Sequence, residues 1–124
     1  MEAAEEQIKT VVHNFYERVR QDGLLGPVFE RAIGDDWDIH LRKMCDFWQT
    51  ILVQTGGYKG NPMMVHLAVP DLNPQHFDRW LELFVETVQQ VCDTSMAEFL
   101  IDRANRMRWG LQRGIAQMQE VLAQ

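Results

Sequence analysis

Apolar residues recur along this chain at spacings of three and four, the period of helices buried on one side. The first run spans 5–22 and places Ile8, Val12, Phe15, Tyr16 and Val19 on one stripe. Gly23 is its natural stop. A turn and a short irregular helix follow over 24–33, closed by Gly34. A second long helix starts at Asp35 or Asp36, either of which can cap it. It carries Trp37, His40, Met44, Phe47, Trp48 and Ile51 on one face and ends at Gly56 and Gly57. Asn73 and Pro74 give a cap followed by proline at the first helical position. The helix they open aligns Phe77, Trp80, Leu81, Phe84, Val88 and Val91. The last helix begins in a capping-box pattern, Ser95-Met96-Ala97-Glu98. Its stripe holds Met96, Leu100, Ala104, Met107, Leu111, Ile115, Met118 and Leu122, and most of its arginines are expected in water. Val, Ile and Thr form no alternating runs, so no strand is expected.

One segment breaks this bundle-like series. Residues 58–70 form a short element held between Pro62 and Pro70, with Asn61 as its cap. A plain four-helix bundle does not need a proline-locked piece between two long helices, and the interruption makes room for something. Within it His66 stands among Met63, Met64, Val65, Leu67 and Val69. An imidazole in such company is either a core histidine bonded to a carbonyl or an axial ligand to an iron porphyrin, which wants a neutral nitrogen and an apolar wall.

Length and charge narrow the function classes. A chain of 124 residues predicts a single domain over 1–124 with one core. The net charge of −6 argues against nucleic acid or an anionic membrane as the main partner. The acidic start, Met1 to Glu6, does not look like a leader, and no window reaches the length of a membrane span. A cytoplasmic location is the default expectation. Cys45 and Cys92 fall in separate helices and outside any CxxC pattern, so both are read as reduced thiols.

Three further residues carry polar tips on inward stripes: Tyr16, His40 and Trp80. Each needs a partner once buried. Singly, each is accounted for by a backbone carbonyl or the surface. Together with His66 they suggest one pocket holding a polar guest. His13 and His76 sit beside charged or polar neighbours and are expected to be exposed. Clustered zinc ligands, Glu-x-x-His pairs and Gly-rich phosphate loops are all missing, as is any recognisable nucleophile context.

The order of these features resembles a truncated haemoglobin, most closely of the group III branch. The likeness covers nearly the whole chain. It rests on Phe15-Tyr16-Glu17-Arg18-Val19-Arg20, Leu25-Gly26-Pro27-Val28-Phe29, Ala32-Ile33-Gly34 and Trp37-Asp38-Ile39-His40. It continues through Phe47-Trp48, Tyr58-Lys59-Gly60-Asn61-Pro62, His66-Leu67 and the helix holding Trp80. The resemblance implies an all-α, globin-like two-over-two helical sandwich around haem b. It makes His66 the proximal iron ligand. It places Tyr16 and Trp80 on the distal side as hydrogen-bond donors, with His40 near the mouth of the pocket. It sets Phe29, Met44, Phe47 and Met107 against the porphyrin and puts Lys43 within reach of a propionate.

Three functions compete. The first is a haem protein binding O2 or NO, with NO dioxygenation and a reductase partner as one extension. The second is a peroxidase-like enzyme in which His40 and Tyr16 polarise peroxide. The third is a cofactor-free helical interaction domain whose four polar residues are structural. Covalent haem attachment through Cys-x-x-Cys-His is excluded, because that motif is absent.

Overall fold

The computed structural model describes residues 4–53 and 72–122, with side chains for 4–52 and 72–114. The proline-bounded segment and His66 therefore lie outside the described residues. Five helices are described: α1 (Ala4–Gln21), α2 (Leu25–Ile33), α3 (Trp37–Val53), α4 (Pro74–Val91) and α5 (Thr94–Leu122). No strand occurs among the described residues.

The central element is α1. Glu5 and Glu6 lie in its first turn and Arg18 and Arg20 in its last, matching the helix dipole at both ends. Its buried stripe holds the expected Ile8, Val12, Phe15, Tyr16 and Val19, together with Val11. That broad apolar face lets α1 pack against α2, α3 and α4, while α4 also packs on α5. The chain thus forms two helix pairs, α1 with α3 and α4 with α5, joined across the α1–α4 contact.

Helix α1 runs antiparallel to α4, as the polar contacts along its length show. The Gln7 amide donates to Asp93 at one end (3.2 Å). Arg79 donates to Asp22 at the other (2.7 Å). Between them Arg18 donates to the Thr87 hydroxyl (3.1 Å), which in turn donates to the Leu83 carbonyl (2.7 Å). Thr87 is fully buried, so this double use of one hydroxyl is what makes its burial tolerable.

Helix ends follow local chemistry, with two departures from the expectation. The Asn73 side chain caps α4 by accepting from the Gln75 N–H (2.9 Å), as expected. His76, expected to be exposed, is buried. Its Nδ1 accepts the Asn73 N–H (3.2 Å), closing a reciprocal cap at the third helical position. The last helix begins earlier than expected. Asp93, not Ser95, caps it, accepting the Met96 N–H (2.9 Å) on its side chain and the Ala97 N–H (2.9 Å) on its carbonyl. The arginines of α5 are also less free than expected. Arg103 is half-buried over the Phe99 ring, and Arg108 pairs with Asp78 on α4.

The corner between α1 and α2 is tight. A Cβ on Gly26 would lie 2.8 Å from the Arg20 carbonyl oxygen, so only glycine lets α2 start against the end of α1. Gly34, at φ +61°, ends α2 in the left-handed region and donates its N–H to the Glu30 carbonyl. Asp22 organises the corner: its carboxylate accepts the Leu24 and Leu25 N–H groups (3.1 and 3.0 Å) as well as Arg79.

Burial alone raises the pKa of the Asp22 carboxyl. The donors from Leu25, Arg79 and Leu24 outweigh it and hold the group below its ordinary 3.8. A depressed folded value means the stabilisation is complete above the ordinary value and is lost as pH falls through the folded one. Asp22→Asn should therefore destabilise the protein by about 1–2 kcal/mol at neutral pH. In urea unfolding, the gap between parent and variant should narrow as pH drops below 3.8.

Candidate distal pocket

The inward faces of α1, α2, α3 and α4 meet in a continuous chain of aromatic rings. Phe29 of α2 touches Tyr16 edge-on (5.9 Å between ring centroids). Tyr16 touches Phe15 (4.8 Å), and Phe15 touches both Trp80 (5.7 Å) and Phe84 (5.3 Å). Phe84 is stacked with both Trp80 and Trp48. Trp48 then meets Phe47 edge-on. A branch leaves this chain at Tyr16. The His40 imidazole stands perpendicular to the phenol at 4.8 Å, and Trp37 contacts both Tyr16 (6.1 Å) and His40 (5.7 Å).

Helical period explains the gathering. Phe15 and Tyr16 are adjacent on α1, so one faces α4 while the other reaches α2 and α3. Trp37 and His40 lie three apart and share a face of α3. Trp80 and Phe84 lie four apart on α4, which makes them neighbours, and their rings are stacked. Three expected pocket residues, Tyr16, His40 and Trp80, thus belong to one ring cluster, Trp80 joining through Phe15. Phe29 lies in the same cluster. Met44, Phe47 and Met107 are half-buried and pack on the edge of the core, whereas Lys43 is exposed. His66 cannot be placed relative to them, being outside the described residues.

The polar surroundings are sparse. The Trp37 Nε1–H is buried with no hydrogen-bond partner among the described residues. The outer face of the Trp37 ring is covered by the Arg20 guanidinium, 4.5 Å from its centroid. Arg20 in turn pairs with Glu30 of α2 (3.2 Å). These two charged residues and the polar tip of Trp37 were not singled out from sequence. The one available signal was the spacing of Trp37, three residues before His40 on the same stripe. An open cleft of about 340 Å³ lies outside this group, lined by His13, Tyr16, Arg20, Trp37 and Leu41 among others. His13 is exposed there, as expected.

Both cysteines are free thiols. Burial, then the Asp46 carboxylate, pushes the Cys45 thiol up, with Lys9 offsetting only part of this. Cys45 is therefore a protonated thiol at neutral pH and no nucleophile. Among the described residues, no three His, Cys, Asp or Glu side chains are grouped to hold a metal ion, and no helix is long and apolar enough to cross a membrane.

Comparison with known proteins places this arrangement. The sequence profile described as bacterial-like globin matches residues 3–112. The chain belongs to that family. This globin is 37% identical over 103 residues to the group 3 truncated hemoglobin of Campylobacter jejuni, covering 81% of each chain. Its fold matches the crystal structure of the group III truncated hemoglobin from Campylobacter jejuni with a TM-score of 0.87. That match has 33% identity and covers 92% of both chains. The two helix pairs are thus the two-over-two sandwich of a truncated globin, as the sequence resemblance implied.

Phe15 is the hinge of the ring chain, 2% exposed and in contact with Tyr16, Trp80 and Phe84. Phe15→Ala should cost about 3–5 kcal/mol in unfolding free energy. It should also weaken the near-ultraviolet circular dichroism of the Tyr16 and Trp80 rings, which lose their common wall.

Proposed function

We propose that this globin binds haem b non-covalently and holds a diatomic ligand, O2 or NO, in the pocket walled by Tyr16, His40 and Trp80. The observation that carries the reading is the ring cluster itself: a phenol and an imidazole 4.8 Å apart, with an indole one ring away, inside otherwise apolar walls. The residues fit such a guest on a second count. The Trp37 ring packs on the same Tyr16 and His40 rings, and its buried N–H has no partner among the described residues. Buried donors of this kind call for an acceptor.

In this reading His66 is the proximal ligand. Its sequence neighbours Met63, Met64, Val65 and Leu67 are apolar, as a wall against a porphyrin would be. The haem iron, when bound, supplies the bond to the diatomic molecule. The protein supplies the rest. Tyr16 and Trp80 donate hydrogen bonds to a guest carrying partial negative charge. His40 stands at the mouth and controls passage. Phe29, Met44, Phe47 and Met107 form apolar surface for the ring system, and Lys43, being exposed, meets a propionate at the solvent edge. Membership in the bacterial-like globins and the likeness to a group III truncated hemoglobin support the assignment. A reductase is the partner that such a protein would use to keep its iron ferrous. NO dioxygenation and peroxidase-like turnover draw on the same side chains, and turnover assays with NO or peroxide separate them from simple binding.

Two substitutions test the reading. Absorption spectra of the ferric, ferrous and CO-treated protein should show a haem protein. His66→Ala should retain haem poorly; a full complement with an unchanged spectrum would remove His66 from its role. A hydrogen bond to a charged group is worth roughly 1.5–3 kcal/mol. Tyr16→Phe should accordingly speed O2 release by about 10-fold to 100-fold, measured by stopped flow. CO accepts hydrogen bonds less well and should respond less. Equal effects on the two gases would assign Tyr16 a steric role instead.

A further inference from the structure

We propose that Arg20 is a positioning residue: seated on Trp37 and held by Glu30, it sets the edge-on arrangement of Tyr16 and His40. The inference rests on the proposed reading of those two side chains as facing the ligand, and it adds a control exerted from the outer surface of the molecule.

The geometry is a relay of three contacts across three helices. Arg20 lies in the last turn of α1, Glu30 on α2 and Trp37 at the start of α3. Glu30 accepts from Arg20 Nε at 3.2 Å, and the guanidinium carbon sits 4.5 Å above the indole centroid. The side chains of the ion pair are 49% and 48% exposed, so the pair alone contributes little. The stack is the stronger contact, because it covers an indole that is only 7% exposed. Beneath it the three rings of Trp37, Tyr16 and His40 touch one another pairwise, at interplanar angles of 60°, 86° and 88°. A closed triangle of packed rings transmits a shift of one to the other two.

One detail makes the guanidinium matter. A buried tryptophan is normally held in place by a hydrogen bond from its N–H. The Trp37 Nε1–H makes none among the described residues. Its ring is therefore located by its faces and edges alone, and the outward face is the one Arg20 covers. A lysine cannot reproduce this contact, because an ammonium is a point charge without a planar face.

The test compares Arg20→Leu, Arg20→Lys and Glu30→Gln with the parent. One readout is the set of His40 and Tyr16 ring-proton resonances, which report the mutual orientation of the rings whether or not haem is present. The other is the C–O stretching band of the ferrous CO form, whose position and width report the polar groups around the ligand. Arg20→Leu should shift the ring resonances and split or broaden the CO band. Arg20→Lys should do the same despite its retained charge, and Glu30→Gln should give a smaller change in the same direction. Unchanged ring resonances in Arg20→Leu overturn the proposal, even where the variant melts at a lower temperature. Shifted rings with an unchanged CO band overturn it too, since the arrangement then does not reach the ligand. A protein that takes up no haem gives no CO band; this defeats the functional reading, while the ring resonances still decide whether Arg20 sets the rings.

Discussion

The burial of α1 on three sides is the constraint on which the remaining structure depends. Ile8, Val11, Val12, Phe15 and Val19 are each no more than 2% exposed. A stripe this wide cannot be covered by one neighbour, and α2, α3 and α4 each take a part of it. Because Phe15 and Tyr16 are adjacent, the same burial that stabilises the helix splits its aromatic residues between two partners. Phe15 goes to the α4 side and Tyr16 to the α2–α3 side. The ring cluster forms where these two directions diverge, so it is built of core residues rather than loop residues.

This origin explains the chemistry available there. Rings meeting mostly edge-on leave polar tips at the margins of the cluster, whereas the stacked run of Trp80, Phe84 and Trp48 forms an apolar floor. A phenol, an imidazole and two indoles then face a low-dielectric interior in which each donor counts for more than it would in water.

Around this core several charged residues act as fasteners. Asp22 joins the α1–α2 corner to Arg79 of α4, and Arg18 reaches the same helix through Thr87. Gln7 and Asp93 close the far end. Arg20 belongs to this set by position but differs in what it holds, an indole packed on Tyr16 and His40 instead of a helix end.

What the sequence determined by itself was whatever depends on neighbours three or four residues away. The apolar period set the long helices, Asn73 with Pro74 set the start of α4, and the stripes of α1, α3 and α4 turned Tyr16, His40 and Trp80 inward. The globin family and its sandwich were legible for the same reason, through motifs contained within single helices. Local sequence misleads at two positions even so: the polar neighbours of His76 predict exposure where it is buried, and Ser95 competes with the equally able cap Asp93. Tertiary structure alone decided the pairings between distant residues. Asp22 finds Arg79 across 57 positions, and Arg18 finds Thr87 across 69. The seat of Arg20 on Trp37 was likewise beyond reach, since Arg20 leaves the exposed side of α1 and Trp37 belongs to another helix. A hydrogen bond within a helix turn is fixed by backbone geometry, which local sequence encodes. A guanidinium over a ring on another helix depends on how two helices cross, and that is set only when the core closes.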